Sequence, residues 1–456
     1  SRPGAVPYRY HLCDAAEIEQ ALQLGQAPMD DWPKRSPADR AKVLMTIARG
    51  LDAARAELTA WMVTDAGKAV READGEISET VDFARYYGNL ELCWRAEPRL
   101  RSTPLGTVLV TPPWNFPLAI PAGGALAALM AGNRVLLKPA LESVMVARKL
   151  CEICWQAGVP TSALQLVLCR DSLASRLVRD ERVDAVILTG ATQTAQMFQQ
   201  LRPGLHLMAE TGGKNSILVS AMADREAAIH DAVRSAFAHA GQKCSAASLL
   251  ICEAEVYDDP NFLRTLSDAT RSLHVGSAWD PRSIVTPLIR TPTGALARAL
   301  ERMEGEEEWL VRPEISPDNP RLLSPGIKLG VRPGGLMHRT ELFGPMLAVM
   351  RASDLGEALG FVEQTGFGLT AGIHSLDERE QQTFIDRSSA GNLYVNRGIT
   401  GAIVQRQPFG GMGLSGFGPG AKAGGPGYVA QLCRYSEDPE KPPPFEPPKS
   451  WSAPDF

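Results

Sequence analysis

This sequence lacks a dominant charge, and that balance limits the partners that it can have. The 456 residues carry 47 Lys and Arg against 52 Asp and Glu, so the formal net charge is only −5 at pH 7. A nucleic-acid or anionic-membrane partner calls for a clear excess of positive charge. We therefore expect no partner of either kind.

The sequence also lacks an apolar run as long as a membrane-spanning helix. The best candidate, LAIPAGGALAALMAG over 118–132, is short and is interrupted by Pro121 and by two adjacent glycines. No charged segment followed by an apolar one stands at the start of the sequence as a leader. We therefore expect no membrane span and a cytoplasmic location.

The eight cysteines lack the spacing of a disulfide framework or a zinc site. They are scattered along the chain, as reduced thiols of a cytoplasmic enzyme would be. Cys151 and Cys154 form one CxxC pair inside a helical window, but no second pair follows at zinc spacing. We interpret both as core or surface thiols and expect no metal site.

What is present is the composition of a large globular protein. With 44% hydrophobic and 22% charged residues, the chain can bury a sizeable core, and its length predicts about three domains or two with an appendage. Residues 36–66 and 69–91 have helical periodicity. Ser36 followed by Pro37 predicts where the first helix begins.

From residue 107 onward, short apolar strands alternate with helices in two series. The first series has strands at 107–111, 134–138, 164–168 and 184–190 and helices at 142–157, 171–179 and 191–202. The second has strands at 216–220, 247–252, 347–352, 370–375 and 392–396 and helices at 225–240, 354–365 and 377–389. Continuous apolar strands of this kind predict an α/β fold with parallel sheets covered on both faces. A dinucleotide-binding domain fits the first series, although the GxGxxG pattern is absent and Gly190 alone marks a strand-to-helix turn.

Two segments place a polar group on a restricted or glycine-rich backbone. In TPPWNFPLAIPAGG, 111–124, prolines restrict the backbone around Asn115, whose carboxamide would suit a developing oxyanion; the alternative is a structural turn. In LMAETGGKNSILV, 207–219, Glu210 ends an apolar strand beside two glycines. A carboxylate in that position suits a general base, and the alternative is a solvated Glu at a turn.

Two further segments surround a cysteine and a glycine-proline turn. Helix 225–240 is expected to end at Gly241 as a left-handed C-cap, so that Cys244 stands in a loop where a thiol can be activated. Cys252, inside the next strand, is expected to be inert packing. The segment HRTELFGPML, 338–347, contains Glu341 and Phe343, and a glycine-rich stretch follows at 407–429.

Together these segments contain PWNFP, KPA, E-x-GG, G-Q-x-C, E-x-FGP and PFGG in this order. The set resembles the aldehyde dehydrogenase superfamily from about residue 30 to 433. The resemblance implies an α/β fold with a Rossmann-type cofactor domain, an α/β catalytic domain and a β-hairpin oligomerisation arm. The boundaries expected are 1–93 and 108–212 for the NAD-binding domain, 213–426 for the catalytic domain, 94–107 and 427–435 for the arm, and 436–456 for a proline-rich tail.

The resemblance also implies catalytic and cofactor-binding roles. Cys244 would be the nucleophile, Asn115 and the Cys244 backbone amide would form the oxyanion hole, and Glu210 would activate the water that hydrolyses the thioester. The positions matching the family's cofactor-binding residues are Trp114, Lys138, Gly190, Glu341 and Phe343. Two positions depart from the family pattern, since Leu141 stands where a ribose-binding carboxylate is common and Ala191 where a serine is common. NAD is the expected cofactor, and NADP is the alternative.

Within the superfamily, the segments AETGGKN, GQKCSA, NLYVNR and GPGAKAGGPGYV resemble the L-glutamate γ-semialdehyde dehydrogenases of proline catabolism. The resemblance implies that Ser245 and the amides of Gly424 and Gly425 anchor the substrate α-carboxylate, in a small anion nest. Lys243 would add positive charge, and Phe116 would pack on the aliphatic part. Leu432 stands where a second aromatic residue is common.

Expected partners are a small aldehyde substrate and a second copy of the chain, in a homodimer or a higher homo-oligomer. Because the sequence begins with Ser1, it could be one domain of a bifunctional enzyme that is fused to or associated with a proline dehydrogenase. Three alternatives remain open at this point. They are a dehydrogenase for another aldehyde, a non-catalytic homologue, and a cysteine hydrolase that pairs Cys244 with His239.

Overall fold

The structure is a computed structural model that describes residues 4–26, 32–89 and 100–437. Up to Glu210 the elements are α1 (Ala15–Gln26), α2 (Pro37–Ala53), α3 (Arg55–Ala66), α4 (Val70–Tyr87), β1 (Leu100–Pro104), β2 (Thr107–Thr111), α5 (Ala119–Met130), β3 (Arg134–Leu137), α6 (Val144–Gln156), β4 (Leu164–Leu166), α7 (Asp171–Arg179), β5 (Ala185–Thr189), α8 (Thr192–Leu201) and β6 (His206–Glu210).

Beyond Glu210 the helices are α9 (Arg225–Phe237), α10 (Ala254–Tyr257), α11 (Pro260–Arg271), α12 (Gly294–Glu301), α13 (Leu336–Arg339), α14 (Leu355–Glu363) and α15 (Glu378–Arg387), with 3-10 turns at Ala238–Gly241 and Ala430–Leu432. The strands are β7 (Asn215–Val219), β8 (Ala247–Glu253), β9 (Glu308–Val311), β10 (Ile315–Ser316), β11 (Asn319–Leu323), β12 (Gly326–Leu329), β13 (Met346–Ala352), β14 (Phe367–Gly368), β15 (Thr370–His374), β16 (Asn392–Val395), β17 (Met412–Gly413), β18 (Gly416–Phe417) and β19 (Cys433–Glu437).

Two large sheets organise the described residues. A six-stranded sheet has the order β18-β6-β5-β2-β3-β4, and all its pairs are parallel except β18 with β6. A seven-stranded sheet has the order β16-β15-β7-β8-β13-β12-β9, and only its β12–β9 pair is antiparallel. The predicted α/β fold with parallel sheets is confirmed.

The six-stranded sheet is covered on both faces, as its apolar strands predicted. In β2, Val108 and Val110 pack with helices α2 to α6, whereas Leu109 points to the opposite face, against α1, α7 and α8. All five residues of β2 are buried. Alternate residues of such a strand meet two different cores, which explains why the strand reads as a continuous apolar run.

The longest apolar stretch of the sequence forms a core helix. In α5 every residue except Ile120 is buried, and the helix has twelve residues. A helix of that length is too short to cross a bilayer and is typical of a protein core. No helix among the described residues has the length and apolarity that a membrane span requires.

Most element ends agree with the sequence predictions within two residues. Ser36 caps α2, because its Oγ accepts the Asp39 N–H at 3.1 Å, and Pro37 is the first helical residue. The helical region 36–66 is two helices, which separate at Ala54. Cys151 and Cys154 are buried in α6, as core thiols.

The predicted helix 225–240 is wrong at its C-terminal end. The helix stops at Phe237, and His239 and Ala240 follow with φ of 54° and 53°. Ala238 already has an extended ψ of 138°, so the regular hydrogen bonds cannot continue. Gly241 is left-handed as predicted, with φ of 67°, and a Cβ there would collide with the Gly344 carbonyl oxygen.

The predicted oligomerisation arm corresponds in part to a two-stranded sheet. β1 pairs antiparallel with β19, in the register Leu100 with Glu437 and Pro104 with Cys433. The second strand begins at Cys433 rather than near 427, because a 3-10 turn at Ala430–Leu432 precedes it. Residues 94–99 of the predicted arm lie outside the described residues. The predicted tail at 436–456 starts two residues too early, since residues 436 and 437 belong to β19. The rest of the predicted tail lies outside the described residues.

Removing apolar volume from the central strand β8 should destabilise the seven-stranded sheet. Leu250 is 0% exposed and pairs with Ile217 and Val349 on the neighbouring strands. We expect Leu250→Ala to lower the free energy of unfolding by about 2–5 kcal/mol, measured from urea unfolding curves. The matched control is Leu376→Ala, where the side chain is 66% exposed and the change should stay within about 0.5 kcal/mol. Equal losses for the two variants would contradict this placement of the core.

Candidate active site

The predicted site residues lie on loops of both large sheets, and hydrogen bonds and ring contacts join these loops. Asn115, Gly190 and Glu210 lie at or just beyond the carboxyl ends of β2, β5 and β6 in the six-stranded sheet. Cys244 precedes β8 and Glu341 precedes β13 in the seven-stranded sheet. Carboxyl ends of parallel strands are the usual place for ligand sites in such folds.

Cys244, the predicted nucleophile, is half-buried in a loop whose backbone is held by the side chain of Asn215. Asn215 Nδ2 donates to the carbonyl oxygens of Cys244 and Ala246, at 2.6 Å and 2.9 Å. Burial raises the pKa of the Cys244 thiol to about 12, and the carboxylates of Glu341 and Glu210 add to the rise. The thiol therefore needs a base to remove its proton before it can attack a substrate.

Asn115, the predicted oxyanion donor, is held against the same loop. Its side chain is buried, and Nδ2 donates to the Gln242 carbonyl oxygen at 3.0 Å. A carboxamide nitrogen carries two hydrogens, so the second one remains for another acceptor. Gln242 is fixed in turn, because its Oε1 accepts the Ile289 N–H at 2.9 Å.

Glu210, the predicted base, is the last residue of β6. Its Oε2 accepts the Gly411 N–H at 2.9 Å. Burial raises the pKa of Glu210 to about 8, against the opposing effects of the Gly411 N–H and of Lys422. A carboxyl group whose pKa lies near neutrality is well matched to general acid–base work.

The residues predicted to hold the nicotinamide end of a dinucleotide lie together. Glu341 Oε1 accepts the Gly213 N–H at 3.0 Å, and a Cβ at Gly212 would collide with the Glu341 carboxylate. Phe343, at φ of 52°, meets Trp114 edge to face with ring centroids 5.8 Å apart. Burial raises the pKa of Glu341 to about 7, and its remaining lone pairs suit the hydroxyl groups of a ribose.

The two other cofactor positions belong to the six-stranded sheet. Lys138 directly follows β3, and its Nζ lies 3.3 Å from a carboxylate oxygen of Asp171. The Gly190 N–H donates to the Glu210 carbonyl oxygen at 3.1 Å, so the turn is tied to the base. An ammonium group, a glycine turn, a carboxylate and aromatic edges together fit the chemistry of a dinucleotide.

Lys243 is placed differently from its predicted role. Its Nζ makes a 2.7 Å ion pair with Glu72 of α4, and its side chain is only 8% exposed. Burial alone would raise the pKa of Glu72, but Lys243 and Lys68 outweigh it and lower that pKa to about 2. A carboxylate already neutralises Lys243 in this arrangement, and its predicted contribution of positive charge at the substrate stays a prediction.

The predicted anion nest is also occupied by the protein itself. The Gly424 N–H donates to Tyr87 Oη at 3.0 Å, and the Gly425 N–H donates to the Lys422 carbonyl oxygen at 3.0 Å. A substrate carboxylate could use these amides only after exchanging both hydrogen bonds. Ser245 is buried beside Cys244, and Leu432 is a core residue rather than a wall of the site.

Sequence reasoning missed the charged groups behind the site. Lys68 precedes α4, Glu72 and Glu76 lie in its first two turns, and the three side chains contact the loops that carry Asn115 and Cys244. The signal in the sequence was Glu76, which falls on the same helical stripe as the buried residues Ala73, Ile77 and Thr80. A carboxylate at such a position requires a buried partner.

A profile of the aldehyde dehydrogenase family matches residues 3–436 of this sequence. This chain belongs to the aldehyde dehydrogenase family. Members of the family use NAD or NADP in aldehyde oxidation.

Several proteins are similar to this chain over most of its length. The 1-pyrroline-5-carboxylate dehydrogenase of Geobacillus thermodenitrificans is 35% identical over 433 residues, covering 90% of this chain and 83% of that protein. The bifunctional protein PutA of Escherichia coli is also 35% identical, but the match covers 91% of this chain and 32% of that protein. The solved structure of Proline Utilization A from Corynebacterium freiburgense superposes with a TM-score of 0.90 at 42% identity, covering 97% of this chain and 46% of the other. This chain thus spans less than half of the bifunctional proteins that it matches.

The pKa of Glu210 predicts the pH dependence of acyl-enzyme hydrolysis. Because that pKa is raised to about 8, the carboxyl is protonated and inactive as a base below it, so the hydrolysis rate should rise about tenfold per pH unit up to about 8 and then level off. The rate can be followed after acylating Cys244 with para-nitrophenyl acetate. Glu210→Gln should abolish the rise, and a wild-type profile that is flat between pH 6 and 8 would contradict the assignment of the base.

Proposed function

We propose that this protein oxidises L-glutamate γ-semialdehyde, the open form of pyrroline-5-carboxylate, to L-glutamate, with NAD as the expected cofactor. The observation that carries the proposal is the hydrogen bond from Asn115 Nδ2 to the carbonyl oxygen of Gln242, which lies two residues before Cys244. The relatives of this chain include 1-pyrroline-5-carboxylate dehydrogenases. This hydrogen bond supports the proposal because it holds the carboxamide of Asn115 against the loop of Cys244. The reaction class follows from the family, and the substrate follows from the relatives.

In the first half of the reaction, the ionised carboxylate of Glu210 takes the proton of the Cys244 thiol and passes it to solvent, and Cys244 Sγ attacks the aldehyde carbon. The second N–H of Asn115 Nδ2 and the Cys244 backbone amide hold the oxygen, which becomes negative in the tetrahedral thiohemiacetal. Bound NAD supplies a hydride acceptor. Loss of the hydride from the substrate carbon leaves a thioester on Cys244.

In the second half, Glu210 takes a proton from a water molecule that attacks the thioester carbonyl carbon. The same two donors hold the oxygen again, and the thiolate of Cys244 leaves as the carboxylic acid forms. Glu210 has one oxygen on the Gly411 amide, so its orientation is fixed while the other oxygen accepts the proton. The base and the nucleophile thus act from opposite sheets on one carbon atom.

For the substrate, we propose that the Ser245 hydroxyl and the loop at Gly424 and Gly425 bind the α-carboxylate. Phe116 would pack against the methylene groups, since its ring is half-buried beside Asn115. A second candidate is a dehydrogenase for an aldehyde without this carboxylate. One observation favours it, namely that both glycine amides already donate to protein acceptors.

For the cofactor, we propose NAD, with NADP as the alternative. Two carboxylates lie near the position expected for the adenine ribose, Asp171 beside Lys138 and Glu142 beside Arg290. Because each carboxylate has a cationic partner, these two pairs favour neither cofactor over the other.

For the partners, we propose a homodimer or a higher homo-oligomer that uses the exposed β1–β19 sheet. A proline dehydrogenase, fused or associated, would supply the substrate, in line with the bifunctional relatives.

The two remaining alternatives are less well supported. A cysteine hydrolase would need an imidazole on the thiol, but neither ring nitrogen of His239 makes a hydrogen bond, and burial lowers its pKa to about 3. A non-catalytic homologue has no need to keep Cys244, Asn115 and Glu210 together.

Removing the nucleophile should separate binding from chemistry. Cys244→Ala should abolish NADH formation while leaving the NAD dissociation constant within about twofold of wild type, measured by calorimetric titration, because the sulfur bonds only to substrate. Cys252→Ala is the matched control, since that thiol is buried in β8, and it should retain activity. Turnover by Cys244→Ala would refute the assignment.

Removing the Ser245 hydroxyl should affect one aldehyde selectively. We expect Ser245→Ala to raise KM for glutamate γ-semialdehyde about tenfold, because a hydrogen bond to a charged group contributes roughly 1.5–3 kcal/mol. KM for propanal, which has no carboxylate, should not change. A wild-type enzyme that prefers propanal would rule out the proposed substrate, and equal effects on both aldehydes would rule out the role of Ser245.

A further inference from the structure

A fully buried ion pair lies directly behind the segment that carries Asn115 and Phe116. Lys68 Nζ and Glu76 Oε2 are 2.5 Å apart, and both side chains are 0% exposed. Taking two charges out of water is costly, and such pairs often contribute little net stability. A pair at this position therefore calls for an explanation other than stability.

The Lys68 ammonium contacts both functional residues of the segment. Nζ donates to the main-chain carbonyl oxygen of Asn115 at 3.1 Å. The same nitrogen lies 3.7 Å from the centroid of the Phe116 ring, in a cation–π contact. One cation thus fixes the backbone of the oxyanion donor and the ring expected against the substrate.

The Glu76 carboxylate fixes the other end of the segment. Its second oxygen, Oε1, accepts the N–H groups of Leu118 and Ala119 at 2.8 Å and 2.9 Å, where α5 begins. These are backbone groups that the helix itself leaves without partners. Residues 115–119 are therefore held at both ends by a single ion pair, between Lys68, which precedes α4, and Glu76 of α4.

The position of the Asn115 carboxamide depends on this backbone. Its Nδ2 already donates one hydrogen to Gln242, so only one direction remains for the second hydrogen. A shift of about 1 Å in a catalytic group can lower a rate by a factor of about 100. The backbone of Asn115 thus determines whether the remaining N–H meets the oxyanion.

We propose that Lys68 and Glu76 are positioning residues, which act on the reaction by holding Asn115 and Phe116 in place. The proposal rests on the proposed function in one respect, namely the role of Asn115 as an oxyanion donor. It applies to any aldehyde that the enzyme oxidises, because every aldehyde forms the same oxyanion.

The test compares two variants with a control variant of a matched buried pair elsewhere. Lys68→Met keeps the side-chain volume without the donor, and Lys68→Met combined with Glu76→Gln also avoids an unpaired buried carboxylate. The control is Lys328→Met combined with Glu307→Gln, because that pair is equally buried, is 2.9 Å apart, and has its lysine over the Trp309 ring. Thermal unfolding midpoints, NAD dissociation constants and the first-turnover rate of NADH formation are measured for each.

We expect the Lys68 variants to lower the first-turnover rate at saturating aldehyde by about tenfold to a hundredfold, with propanal as with glutamate γ-semialdehyde. The NAD dissociation constant should stay within about twofold of wild type. The control pair should lower the unfolding midpoint by a similar amount but keep its rate. A rate loss no larger than that of the control would overturn the proposal. If Lys68→Met yields no folded protein, the double variant is compared with the control in the same way.

A double-mutant cycle with Asn115→Ala decides whether the effect passes through Asn115. In that background the double variant should lower the remaining propanal rate by less than about twofold, since the group that it positions is gone. Additive losses would show a general structural effect and overturn the proposal. A wild-type enzyme that oxidises propanal but not glutamate γ-semialdehyde would refute the proposed substrate while leaving this cycle interpretable.

Discussion

The hydrogen bond from Asn115 Nδ2 to the Gln242 carbonyl oxygen is the link on which the candidate site depends. It joins a loop of the six-stranded sheet to the loop that presents Cys244 at the edge of the seven-stranded sheet. Neither loop has regular secondary structure of its own at that point, so this contact sets their relative position. Asn215 holds the Cys244 loop from one side and the Lys68–Glu76 pair holds the Asn115 loop from the other.

The charges around this link are arranged so that the site itself carries little net charge. Burial raises the pKa values of Cys244, Glu210 and Glu341, and therefore favours their neutral forms. The ion pairs of Lys243 with Glu72 and of Lys68 with Glu76 lie on the side of the Asn115 and Cys244 loops that contacts α4. The ion pairs thus hold the loops in place, and the groups proposed to exchange protons lie in a less polar environment.

The fold was largely predictable because its signals are local. Continuous apolar strands between amphipathic helices predicted parallel sheets, and Ser36 with Pro37 predicted a helix start. The motifs also predicted which residues meet at the site, through a resemblance to a family. What could not be predicted were pairings between residues distant in sequence.

Three particular residues show this limit. Lys243 was expected to face the substrate, but its partner Glu72 is 171 positions away, and no local pattern connects them. The Gly424 amide was expected to bind an anion, but Tyr87 reaches it from α4. Helix 225–240 was extended too far, because the left-handed backbone of His239 arises in a buried environment rather than from its own propensity.

The two left-handed residues that precede the Cys244 loop have a consequence for how this protein can evolve. Non-glycine residues with positive φ are strained by about 1–3 kcal/mol each, and here His239 and Ala240 are consecutive and buried. Substitution by glycine at these positions would relieve the backbone strain. It would also raise the conformational entropy of this segment in the unfolded chain, which opposes folding. β-Branched residues are the ones that this backbone excludes. Among related enzymes, the segment just before the catalytic thiol should therefore vary in side-chain chemistry while remaining restricted in side-chain shape.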